Sequence, residues 1–84
     1  MILHQNFVKE YRKLRPSQQR QFKERRDLWL LDQFHPLLHN HPLQGRYSGY
    51  RSINITGDLR AIYKFIDEDT IVWVTIGSHS ALYS

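Results

Sequence analysis

Apolar positions recur at helical spacing in the first part of the chain and alternate in strand fashion in the last part. Phe7, Val8, Tyr11 and Leu14 fall on one side of a short amphipathic helix. Pro16 interrupts that pattern, and the residue before a proline avoids helical dihedrals. Ser17 offers an N-cap hydroxyl, so a second helix is expected from about Ser17 to about Phe34. Its buried side would carry Phe22, Leu28, Leu31 and Phe34, with Trp29 and Leu30 partly buried, and His35-Pro36 would end it. Residues 35–45 read as a loop with two prolines, three histidines and a closing glycine. Strand patterning then takes over. Tyr47 to Ile55 is rich in aromatic and β-branched residues, and Leu59 to Ile66 sets Ala61, Tyr63 and Phe65 against Ile62 and Lys64. Asp67-Glu68-Asp69 forms a polar turn. Thr70 to Ile76 is the last strand, with Val72, Val74 and Ile76 on one side and Gly77 as its end. Met1 to His4 adds a short edge strand. The expected order is β-α-α-β-β-β: an α+β fold, a small antiparallel sheet with two N-terminal helices on one face.

Length and composition narrow the class. Eighty-four residues are expected to form one domain with a modest core. The chain has no cysteine, which removes disulfides and thiolate metal sites. Neither a signal-peptide apolar stretch nor a run of membrane-spanning length is present, so a cytoplasmic protein with no membrane partner is expected. The formal net charge is +4 and the sequence pI about 9.7. Between residues 9 and 26, eight Lys and Arg stand against Glu10 and Glu24 alone. Such a stretch suits nucleic acid or an acidic protein, and charge does not choose between them.

Reactive side chains concentrate in the second half, where His41, Asp58, Arg60, His79 and Tyr83 stand out. Cutting RNA through its own 2′-OH needs a base, a cation at the phosphate and an acid for the leaving oxygen. Histidine suits either proton role, and the arginine fork suits a phosphate. Each residue also has a plainer reading. His79 could be a surface histidine after the last strand, and His41 a loop residue packed on Pro42. Asp58 follows Gly57, where aspartate serves turn chemistry. Arg60 could pair with Asp58 or Glu68, and Tyr83 could close the sheet. For zinc, Pro36 breaks the helical spacing of His35 and His39, so neither a metal nor a cofactor is expected.

Four segments carry a resemblance: His41-Pro42-Leu43-Gln44-Gly45, Gly49-Tyr50-Arg51, Ile62-Tyr63-Lys64 and Gly77-Ser78-His79-Ser80-Ala81-Leu82-Tyr83. In order and spacing they resemble the RelE-like superfamily of type II toxin–antitoxin ribonucleases, nearest the YafQ-like branch. That resemblance implies a RelE-like microbial RNase fold and an acidic cognate antitoxin. It implies metal-free cleavage of messenger RNA in the ribosomal A site, beside ribosomal RNA. It marks His41, Asp58, His79 and Tyr83 as catalytic. Asn54 stands where that branch has a histidine, and Leu59 where it has tryptophan. Arg60 matches an arginine of other RelE-like branches and joins the catalytic set. Asn54, Arg51 and Lys64 are expected to touch RNA. Two alternatives remain: a ParE-like toxin that acts on DNA gyrase, and a catalytically weak module that only binds antitoxin.

Overall fold

The computed structural model describes residues 1–83. The elements run β1 (Ile2–Leu3), α1 (Gln5–Arg12), α2 (Pro16–Leu31), β2 (His41–Pro42), β3 (Arg51–Asn54), β4 (Leu59–Phe65), β5 (Ile71–Ser78) and α3 (His79–Tyr83). Two single 3₁₀ turns, Pro36–Leu38 and Gly45–Tyr47, lie between α2 and β3. The five strands line up β1-β5-β4-β3-β2. All neighbours are antiparallel except β1, which pairs in parallel with β5 through Ile2 against Val72 and Leu3 against Trp73. The sheet is therefore mixed, where a purely antiparallel one was expected.

Local chemistry sets the helix ends, and here the sequence reading needs correction. Nδ1 of His4 accepts the Asn6 amide at 3.0 Å and caps α1. In α2 the N-cap is Arg15 rather than Ser17, and Pro16 is the first helical residue. Proline fits that position, because its fixed φ is helical and the first turn leaves its missing N–H unneeded. The Gln18 side chain accepts the Arg15 amide at 3.1 Å. The helix stops at Leu31, three residues short of Phe34, because Oδ1 of Asp32 takes the Phe34 amide at 3.2 Å. Phe34 thus leaves the helix and is 62% exposed. Leu31 is 87% exposed, since nine residues from Phe22 place it half a turn round the helix. Phe22 and Trp29, two turns apart, are the pair that α2 buries.

The core is built around Trp73. Its ring lies 5.2 Å from Phe22, 5.1 Å from Tyr63, 6.0 Å from Trp29 and 6.3 Å from Phe7, tilted or edge-on to each. Those geometries suit aromatic quadrupoles and add to the burial term. Two helices and two strands thus meet on one indole.

Just beyond Trp73 the strand slips. Tyr63 pairs with Trp73 and Ile62 with Thr75, so Val74 has no partner and forms a bulge. A bulge reverses the in-and-out alternation. Ile76 consequently joins Ile71 and Trp73 in the helix-covered core, and the expected single row of Val72, Val74 and Ile76 does not form. Helix-side positions of the other strands are Ile53, Ala61 and Tyr63. The opposite face carries two cross-strand rows, His41–Ser52–Ile62–Thr75 and Asn54–Arg60–Gly77.

Two further segments differ from expectation. Gly45 (φ 66°) and Gly49 (φ 89°) turn the chain before it becomes extended, so β3 is Arg51–Asn54 and not the longer Tyr47 to Ile55. Gly77 does not end β5, which continues to Ser78. Oγ of Ser78 then accepts the Ala81 amide at 3.1 Å and starts α3, a helix that strand patterning did not anticipate.

Among the described residues, the Trp73 indole N–H is buried without an acceptor, as is that of Trp29. Trp73→Ala should cost about 3–5 kcal/mol in chemical unfolding, from lost burial and the cavity left behind. Trp73→Phe should cost much less, because it keeps an aromatic ring and removes an unpaired donor.

Candidate active site

The sheet face opposite α1 and α2 holds an open hollow of about 450 Å³. His41, Asn54 and Arg60 reach it from β2, β3 and β4, and His79 and Tyr83 close it from α3. His39 and Asn40 complete the wall. No carboxylate is among these lining residues, and Arg60 contributes a permanent positive charge. Such a hollow favours an anion.

Main-chain atoms hold the reactive side chains. Nδ1 of His41 lies 2.7 Å from the His39 carbonyl oxygen. A carbonyl only accepts, so Nδ1 carries the hydrogen and Nε2 of the neutral ring keeps a free lone pair. Nη1 of Arg60 donates to the carbonyls of Thr56 and Gly57, both at 3.0 Å. This anchors one corner of the fork to the β3–β4 turn. The ion pair with Asp58 or Glu68 weighed from sequence is not made among the described residues. The His79 amide donates to the Asp58 carbonyl at 2.9 Å, and its ring meets Tyr83 edge-on at 4.8 Å, one helical turn on. The Tyr83 hydroxyl is buried and has no partner among the described groups.

The expected residues divide. His41, Arg60, His79, Tyr83 and Asn54 share the hollow; Asp58, Arg51 and Lys64 are not among its lining residues. Oγ of Thr56 takes the amides of Asp58 and Leu59 at 3.4 and 3.0 Å and shapes their turn. Asp58 therefore meets His79 through its carbonyl, and the residue lines a separate depression with Lys13, Arg15 and Ser78. Arg51 lies on the helix side, where its guanidinium covers Phe34 at 5.4 Å and its Nε donates to Oδ1 of Asn40 at 2.8 Å. Lys64 shares the face of Arg60 but sits four residues along β4, roughly 13 Å away, over the Tyr50 ring.

Sequence reasoning passed over two residues that shape this site, Asn40 and Arg46, and weighed a third, His39, only as a zinc ligand. Nδ2 of Asn40 donates to the Gln33 carbonyl at 2.8 Å and to the Tyr63 hydroxyl at 2.7 Å, and its Oδ1 takes Arg51. That fastening holds the chain on which His41 rides. Arg46 donates to the Leu82 carbonyl at 2.8 Å and ties α3 to the loop before β3. His39 supplies the carbonyl that binds His41. An asparagine between two histidines in a loop carries no periodic signal. Only the fold brings Tyr63 to it, across 23 positions.

The family model described as the bacterial toxin of a type II toxin–antitoxin system, YafQ, matches residues 1–84. The chain belongs to this YafQ toxin family. Among solved structures it resembles YafQ from E. coli strain BL21(DE3), with TM-score 0.79 and 22% identity over 99% of this chain and 96% of that one. The E. coli DinJ–YafQ toxin–antitoxin complex matches at 0.72, with 24% identity over 99% and 94%. The RelB–RelE antitoxin–toxin complex from Methanococcus jannaschii matches at 0.75, with 17% identity over 99% and 95%. No curated protein matches by sequence. The fold is thus RelE-like, and membership of the YafQ family makes the chain a type II toxin.

Asn40→Ala should lower stability by about 1–3 kcal/mol in thermal or urea unfolding, since it strands the buried Tyr63 hydroxyl and the Arg51 Nε–H. An unchanged midpoint would show that Asn40 does not fasten this segment.

Proposed function

We propose that this toxin is a ribosome-dependent messenger-RNA endonuclease that blocks translation by metal-free cleavage. The observation that carries this reading is the meeting of the His41 and His79 imidazoles and an anchored guanidinium in one hollow, with no carboxylate among its described lining residues. These are the parts a phosphate ester needs.

In the proposed reaction Nε2 of His41 takes the proton of the ribose 2′-OH, for which its free lone pair suits it. The 2′-oxygen forms a bond to the adjacent phosphorus. The outer edge of the Arg60 fork stabilises the charge on the phosphorane. The bond from phosphorus to the 5′-oxygen breaks, and His79 gives that oxygen its proton. The products are a 2′,3′-cyclic phosphate and a 5′-hydroxyl. Tyr83 joins the catalytic set by backing the His79 ring, its own hydroxyl being buried. Asn54 contributes hydrogen bonds where it cannot exchange a proton. Asp58 serves through its main chain by holding the amide of His79. Arg51 and Lys64 lie outside the hollow, and in this reading Lys64 supports the RNA backbone further along the same face.

The expected partners are messenger RNA and ribosomal RNA at the A site, and an acidic cognate antitoxin. The antitoxin is supported by the solved complexes of relatives with DinJ and RelB and by the basic stretch of residues 9–26. A ribosomal substrate places the protein in the cytoplasm. Among the described residues, no helix is long and apolar enough to cross a membrane.

Induction in a bacterium should arrest growth and produce codon-phased message ends. Arrest with intact messages and altered DNA supercoiling would instead favour a gyrase inhibitor. His79→Ala and His41→Ala should each slow cleavage by about 10²–10⁴-fold with the fold retained by circular dichroism. Arg60→Lys should also lose most activity, because charge survives and the fork does not. Asp58→Glu, which leaves the carbonyl in place, should cleave at close to the parent rate. A large loss there would assign the carboxylate itself a role.

A further inference from the structure

His39 is the one non-glycine residue with positive φ among the described residues, at φ 45° and ψ 45°. Such left-handed backbone is disfavoured for residues with a Cβ, though asparagine tolerates it better than most. His39 closes the 3₁₀ turn Pro36–Leu38, and its amide donates to the Pro36 carbonyl at 3.3 Å. The same twist turns its own carbonyl toward the His41 ring, 2.7 Å away. Asn40 between them is held through its side chain by Gln33, Tyr63 and Arg51.

We propose that His39 is a positioning residue whose left-handed backbone aims its carbonyl at Nδ1 of His41 and so selects the tautomer that leaves Nε2 as the free base. An imidazole without such a partner distributes its hydrogen between both nitrogens. The carbonyl removes that freedom and fixes the plane of the ring. His39 thereby acts on His41 through its main chain. The consequence for catalysis rests on the ribonuclease reading above; the tautomer selection does not.

Substitution separates the two parts of the residue. His39→Asn and His39→Gly keep the turn and remove the imidazole. Both should retain the ¹⁵N NMR signature of a His41 ring protonated at Nδ1. His39→Val opposes the turn. It should shift His41 toward the Nε2-protonated form and slow cleavage roughly ten- to a hundredfold, as when a partner orienting a functional histidine is disturbed. If the valine protein does not fold, His39→Ala, which opposes the turn less, reads the same signals. A variant that opposes the turn, with a lowered melting temperature but an unchanged His41 tautomer, overturns the proposal and leaves His39 a structural turn residue. So does an asparagine or glycine variant in which His41 loses the Nδ1-protonated form, because a left-handed turn would then not be enough to set the tautomer. If the parent protein itself cleaves no RNA, the ribonuclease reading fails, while the tautomer comparison still decides whether His39 positions His41.

Discussion

The fold depends on how Trp73 is gripped. Its indole is fully buried between Phe7 of α1, Phe22 and Trp29 of α2 and Tyr63 of β4. In a chain this small, one large aromatic must tie both helices to the sheet, since little other core is available. The contact also has a consequence for the opposite face. The strand holds Trp73 toward the helices and then slips by one residue at Val74. That slip turns Ile76 under the helices and sets Gly77 beside Arg60 on the open side. Without the bulge, the end of β5 would present the other set of side chains to the hollow. The core and the site are therefore two faces of one register.

Positioning in the hollow is done by the main chain. Carbonyls of His39, Thr56, Gly57 and Asp58 hold His41, Arg60 and the amide of His79, and the carbonyl of Leu82 holds Arg46. Ion pairs contribute little: among the described residues, Lys13–Glu10 and Arg26–Asp27 are exposed pairs on the helices. Carbonyls orient cations and imidazoles without neutralising them, which leaves the hollow free to receive a negative ligand. A carboxylate in the same places would compete with that ligand. Asp58, which lines a separate depression and not the hollow, is consistent with this division.

The basic helices and the reactive hollow lie on opposite faces of the sheet. Lys9 to Arg26 therefore does not line the site, although composition alone invited that connection. A surface for a macromolecular partner and a site for chemistry can thus coexist on 84 residues.

Much was legible in the sequence itself. Periodicity located α1, α2 and the β4–β5 hairpin, because helical and extended chains bury side chains at different spacings. The motifs around His41 and His79 pointed to the family and to residues that share the hollow, His41, Arg60, His79 and Tyr83. Tertiary structure decided the rest. The end of α2 at Asp32 and the bulge at Val74 arise from competing hydrogen bonds and from the register with a neighbouring strand, neither of which leaves a periodic trace. The parallel pairing of β1 is a choice of partner and direction that a two-residue strand does not encode. The contacts of Asp58 with His79 and of His39 with His41 went unread for the same reason. A sequence names side chains, whereas the contacts that orient this site run through carbonyl oxygens, which every residue has and only the folded chain aims.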